Sequence, residues 1–381
     1  MSIARSPEPV KAGYSARLQN AHYARPEFSI AETRAIVKDL FEVKPAVYWT
    51  DFLVSMGIGA FCFTALFRGL FVHRVANWLD FHAAWFTPSL SVALFVVMCL
   101  AFYRATLFTH ELVHLRDGAV PGFRVAWNLL CGVPFLMPSF LYQTHVYHHM
   151  RKHYATHDDG EYLPLGSSVW TILFYLGQSF VIPVIAAVRF LVLTPATWVH
   201  AGVRHWVRKH ASAMICDPTY IRPLPTGKEL RVWRRQEILC FMFAATVTTL
   251  LATGVLPLRW LFLAYGTAVS VILLNAVRTL GAHRFLYDRH HDVTFMEQLL
   301  DSVNYPRRPW LTAIWAPVGL RFHALHHLFP SMPYHSLAKA HRRLMQQLPP
   351  DSPYRQTESP GLMHTLGQLW RSARAGGQAR R

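Results

Sequence analysis

Histidine is the residue type most able to do chemistry in this chain: there are 22, and most fall in a few tight clusters. His110-Glu-Leu-Val-His114 sets two imidazoles four residues apart, on one helical face, where both can reach a single metal ion. The same string reads H-E-x-x-H, in which two His bind zinc and the Glu acts as general base. A second cluster, His145-Val-Tyr-His148-His149, puts His145 and His149 on one face with His148 beside them, and His153 and His157 continue that stripe. A third, His323-Ala-Leu-His326-His327, repeats the H-x-x-H-H spacing far away in the chain, and His283 stands alone after an apolar run.

A zinc site takes four ligands, or three protein ligands and a water when catalytic. Nine clustered histidines are too many for one such ion and suit two metals. Imidazole binds Zn, Cu, Fe and Ni alike, so ligand type alone does not select the metal. The five cysteines, Cys62, Cys99, Cys131, Cys216 and Cys240, contain no C-x-x-C pair and read as apolar packing residues.

The elements that position these clusters follow from the distribution of apolar residues. Hydrophobic residues make up 52% of the 381 and charged residues only 15%, well below a soluble domain. Nearly uncharged runs lie at Phe52–Phe67, Pro88–Phe108, Ile238–Leu256 and Trp260–Val277. They predict an all-α integral membrane protein with four spans, at about 51–70, 88–108, 238–256 and 260–280. The spans form two hairpins, one around the loop His73–Thr87 and one turning at Pro257. Trp127–Tyr142 is too short to span and holds Pro134 and Pro138; Val169–Leu193 is interrupted by Pro183. Both are read as interfacial or re-entrant. The first 45 residues show no cleavable signal, and Ile30–Val43 is amphipathic. Residues 1–50 are expected to be a cytoplasmic lead-in, 51–344 the membrane domain, and 345–381 a basic polar tail.

The formal charge is +17. Its cations crowd between apolar runs, at Arg204, Arg208, Lys209, Arg222, Lys228, Arg231, Arg234 and Arg235, as the positive-inside rule asks of cytoplasmic loops. Nucleic-acid binding does not fit so apolar a chain. A cytoplasmic helical cap carrying the histidine clusters is expected, with Arg284–Arg381 forming much of it.

These residues resemble the membrane-bound fatty acid desaturase superfamily, whose mark is three histidine boxes, HxxxH, HxxHH and (H/Q)xxHH. They stand here as His110/His114, His145/His148/His149 and His323/His326/His327. The continuation His326-His-Leu-Phe-Pro-Ser-Met-Pro-Tyr-His335 is similar to the HHLFPxxP string of acyl-lipid desaturases, and order and spacing agree from about Phe52 to Leu344. The resemblance implies two non-haem irons on those eight histidines and O2-dependent removal of two hydrogens from a fatty acyl chain. The acyl-CoA branch implies a ninth ligand where His283 stands, and an Asn four residues before it that holds one iron through water. This chain has Thr279 there, with Asn275 one turn further back. No His-Pro-Gly-Gly haem motif occurs, so electrons are expected from a separate small carrier of the ferredoxin, rubredoxin or cytochrome b5 type, with its reductase.

Asp158, Asp159 and Glu161 are placed to hydrogen-bond the far nitrogens of ligand histidines, or else form a solvated acidic turn. Arg104 and Arg278, near cytoplasmic helix ends, are expected to snorkel to head groups, with contact to an acyl head group as the alternative. Gly57, Gly59 and Ala60 suit close helix packing. Tyr142, Tyr147 and Trp127 are read as interfacial aromatics or tunnel residues. His335 and His341 are left undecided, and His200, His205, His210, His290 and His291 are read as surface residues. Three rivals stand beside desaturation. A hydroxylase or ketolase would use the same scaffold; a zinc membrane protease would use His110, Glu111 and His114; a metal transporter would need ligands at mid-membrane.

Overall fold

The structure, a computed structural model, describes residues 28–69, 74–75, 86–289 and 292–378. Most of the lead-in and of the loop His73–Thr87, and both His290 and His291, lie outside them. The described residues are helical, with isolated bridges in place of strands.

Five helices are long and apolar enough to cross a membrane: α1 (Pro45–Arg68), α2 (Thr87–His114), α3 (Val169–Val199), α4 (Gly227–Ala252) and α5 (Leu258–Ala282). Their boundaries are written locally. Pro45 opens α1 with its fixed φ, and Gly69 closes it at φ 67°, donating its N–H to the Ala65 carbonyl. A capping box of Thr226 and Glu229 starts α4. At most 44% of the apolar stretch of any of the five is buried, so most of that surface is left for lipid.

α1 packs along α2, where Gly59 makes room: a Cβ there would lie 2.6 Å from the Phe102 ring. α5 packs on α2 and α3, while α4 leans on the far end of α3. The expected second hairpin is therefore a pair joined in sequence whose partners lie elsewhere. α3 is also more than the sequence predicted. Its helix runs straight through Pro183 and continues by a π turn, Arg189–Leu193, to Val199. By length and composition it is a fifth candidate span. Both its flanks nonetheless meet the histidine side of the molecule: Ser372 donates to the Gly166 carbonyl, and Met214 N–H donates to the Leu141 carbonyl at 2.7 Å. Arg189, at the π turn, pairs with Glu237 of α4 and donates to the Ala211 carbonyl.

The short stretch Trp127–Tyr142 is broken, as its prolines require, into a π turn and a 3-10 turn. Residues 345–381 are not simply a tail. Leu362–Gln378 is a helix that buries Leu369 and Ala373 with Leu280 and Tyr162. Three apolar cores surround the histidines: Tyr48, Phe52, Phe108 and Phe123; Leu325, Leu328, Leu337 and Leu344; and Tyr154, Tyr162, Tyr175 and Leu280.

Candidate metal centre

Four elements bring the histidines together. His110 and His114 sit on the last turns of α2, His145, His148 and His149 on a single turn (His145–His149), His283 directly after α5, and the last three on His323–Leu328. Their ligand nitrogens sort into two groups, His110, His114, His145, His149 and His326 in one and His148, His283, His323 and His327 in the other. Within each group the atoms lie within 4.8 Å of one another, and the rings of His149 and His327 touch across the groups at 4.3 Å between centroids.

The hydrogen-bond pattern tests whether a cation fits. Asp159 Oδ2 lies 2.8 Å from His148 Nδ1, so that nitrogen carries the proton and Nε2 presents its lone pair. Tyr154 gives its one proton to Asp301 Oδ2 at 2.6 Å, so His283 Nδ1–H donates to the tyrosine oxygen and His283 Nε2 is also a lone pair. These two lone pairs face each other at 3.1 Å. With both rings neutral, no tautomer satisfies this contact together with both Nδ1 bonds, and a cation between the two nitrogens would satisfy all three. In the other group Glu161 fixes His145 Nδ1 at 2.9 Å, and Nε2 of His110 and of His114 are buried without partners. The residues present fit two ions.

Burial holds most of the imidazoles in the neutral form that metal binding needs. It pushes His145, His149, His323, His326 and His327 well below the ordinary histidine range. His148 goes the other way: burial opposes its charge, but Asp159, Glu161 and Asp301 outweigh it. Burial also lifts the Glu161 carboxyl to about 7.

Of the acidic trio, Asp159 and Glu161 do orient histidines. Asp159 also accepts the N–H of Ala155, whose left-handed φ of 56° turns the chain towards it. Asp158 instead faces solvent and pairs with His153 at 3.4 Å, outside both groups. The helix ends at His149 with Met150 extended, so the stripe does not reach His153 or His157. Among the described residues Asn275 and Thr279 hydrogen-bond no histidine; both accept from Arg278. Arg278 is buried at 7% exposure rather than snorkelling, and Arg104 is tied to Asp51 at 2.5 Å. Glu111 is turned away from a hydrolytic role, because its carboxylate accepts from Tyr48 OH at 2.6 Å and from Tyr334 N–H at 3.3 Å. His335 accepts from the Lys44 N–H, and His341 bonds Tyr354 and Glu358. Tyr142 stacks on His145 with centroids 4.7 Å apart and donates to Glu161, while Trp127 is fully buried in the α1–α2 core.

Sequence reasoning missed Tyr154, Asp301 and Gln298, whose amide lies 3.1 Å from His327 Nδ1. None of them sits in a motif, and only the return of Phe295–Asp301 against the second box brings them in. A cleft of about 180 Å³, lined by Arg34, Tyr48, Glu111, His114, Arg116 and Met332, opens towards His114 from outside.

The fold is that of a membrane protein whose histidines form two groups able to hold metal ions. The model of the fatty acid desaturase family matches residues 83–358, and the chain belongs to that family. It is similar to a ceramide hydroxylase of Caulobacter vibrioides (strain NA1000 / CB15N), with 37% identity over 350 residues, 90% of this chain and 93% of that protein. No solved structure matches.

Proposed function

We propose that the protein is an O2-dependent hydroxylase of a ceramide-like, N-acylated lipid, working at two histidine-held irons. The observation that carries this reading is the likeness to a ceramide hydroxylase across nine-tenths of the chain, joined to two converging imidazole groups. His110, His114, His145, His149 and His326 would hold one iron, and His148, His283, His323 and His327 the other. Bound there, the pair would supply O2 activation and oxidation of an unactivated C–H bond. The overall change is R–H + O2 + 2 e⁻ + 2 H⁺ → R–OH + H2O, with both electrons from outside the chain. Asp159, Glu161 and the Tyr154–Asp301 pair hold the imidazoles in the tautomer that binds, and the apolar cores exclude water.

In this reading α1, α2, α4 and α5 cross the membrane, while α3 enters and returns to the side it left. Its π turn at Arg189–Leu193 and its two flanks on the histidine side support that path. The basic loops support a cytoplasmic position for this side, where the net charge of +17 would attract an acidic carrier such as a ferredoxin, rubredoxin or cytochrome b5.

The test is purified protein with a reductase, a carrier and ceramide under ¹⁸O2, read by mass spectrometry. One ¹⁸O in the lipid product is expected. A product two hydrogens lighter without label would make it a desaturase, as the histidine boxes alone suggested.

A further inference from the structure

Arg278 is the buried charge that the proposed chemistry does not yet use. It lies in the last turns of α5, where only 7% of it is exposed. Its Nε and Nη2 donate to Asn275 Oδ1 at 3.2 and 2.9 Å, and Nη2 donates to Thr279 Oγ1 at 3.0 Å. All these partners are neutral, and no carboxylate among the described residues forms an ion pair with it. Other arginines of the same layer are provided for. Arg104 has Asp51, Arg189 has Glu237, and Arg289 has Asp217. Arg222 has the carbonyls of Phe140 and Ser212 and lies over the Trp233 ring.

An ionised group in a spanning helix without a counter-charge is costly and marks a functional position. The surroundings make the cost greater. Arg278 precedes His283 by five residues, about 7.5 Å of helix rise. Its charge acts on His110 in one group, on His323 and His326, which between them belong to both, and on the Glu161 carboxyl. Two bound cations would repel it further, and neutral imidazoles do nothing to offset them. Tyr103, Tyr142 and Tyr175 also feel its charge, so its surroundings carry hydroxyls rather than carboxylates alone. Glu161, the carboxyl that meets its charge, is held by His145 and Tyr142 and forms no ion pair with it, which leaves Arg278 able to take an oxygen from a bound molecule.

We infer that Arg278 grips the oxygen-bearing head of the lipid substrate, the amide carbonyl and adjacent hydroxyl of an N-acylated sphingoid base. This rests on the lipid-hydroxylase reading and adds a regiochemical consequence. The carbon that is oxidised lies within about five bonds of the gripped head, because roughly 7.5 Å separates Arg278 from the level of His283 and each carbon–carbon bond is about 1.5 Å. An enzyme that oxidised deep in the acyl chain would need its head-group cation much further from the metals.

The test has two arms. In the first, full-length, iron-loaded protein without reductant is titrated with radiolabelled N-octanoyl sphinganine, comparing wild type with Arg278→Gln and Arg278→Lys. Loss of a charge-assisted hydrogen bond predicts about ten-fold weaker binding in Arg278→Gln. Arg278→Lys should fall between, with iron content and melting temperature unchanged in both. Wild-type affinity in Arg278→Gln overturns the inference. The second arm uses wild type alone, turning over ceramides of several acyl lengths. Oxygen should appear at a constant number of bonds from the amide; a position constant from the methyl end overturns the inference even if the variants misfold. Wild type that binds ceramide but oxidises no lipid refutes the hydroxylase reading, while the binding comparison still decides Arg278.

Discussion

Asp301→Asn should strip one metal and leave the other. In the wild type, Asp301 is fully buried, accepts the Tyr154 hydroxyl at 2.6 Å, and stands 3.5 Å from His283 Nδ1. Its other oxygen accepts the Leu286 N–H at 3.0 Å, so an asparagine can keep the backbone contact and the fold. The asparagine Nδ2 would then donate to the Tyr154 oxygen. That turns the tyrosine proton towards His283 Nδ1 and drives the imidazole proton onto Nε2, the atom that must be bare to bind. Loss of a partner that orients a ligand histidine typically costs about 10–100-fold in metal affinity, about 1.4 to 2.7 kcal/mol. Tyr154→Phe should cost less, since Asp301 can then close on His283 directly. The five-histidine group shares neither residue. Iron per chain, measured by elemental analysis across a chelator series, should fall from two towards one in Asp301→Asn well before wild type loses either. Equal loss of both irons, or chelator resistance matching wild type, would refute this account of the tautomer.

Other outcomes follow from the same geometry. His326→Ala should lose iron and lipid oxidation together, whereas Glu111→Gln, which can still bond Tyr48, should keep its iron and most of its turnover; an active His326→Ala beside a dead Glu111→Gln would remove the diiron reading. Thr219→Cys and Val255→Cys, both at exposed positions, should label from opposite sides of the membrane, with Thr219→Cys on the side of the histidines. Labelling of Thr219→Cys from the side away from the histidines would make α3 a full crossing. Gly59→Ala places a methyl 2.6 Å from the Phe102 ring, and overpacking of this kind costs about 1–3 kcal/mol, so a lower melting temperature with unaltered iron content is expected.

The converging histidines were legible in the amino-acid order because a helical turn converts spacing into a shared face: H-x-x-x-H and H-x-x-H-H are already half of a site. The apolar runs likewise declared a membrane protein, since an uncharged stretch of that length has no other stable home. What spacing could not convey was decided by packing. Which histidines share an ion depends on how four separate elements meet. Asp158 and Asp159 are neighbours in sequence, yet one faces solvent and the other fixes His148, because a left-handed turn at Ala155 aims only one of them inward. The path of α3 depends on a π turn and on where its flanks dock, neither of which composition records. Arg278 read from sequence as a cation reaching for head groups. Only the tertiary structure buried it among neutral partners beside the histidine groups, because burial is a property of everything packed around a side chain.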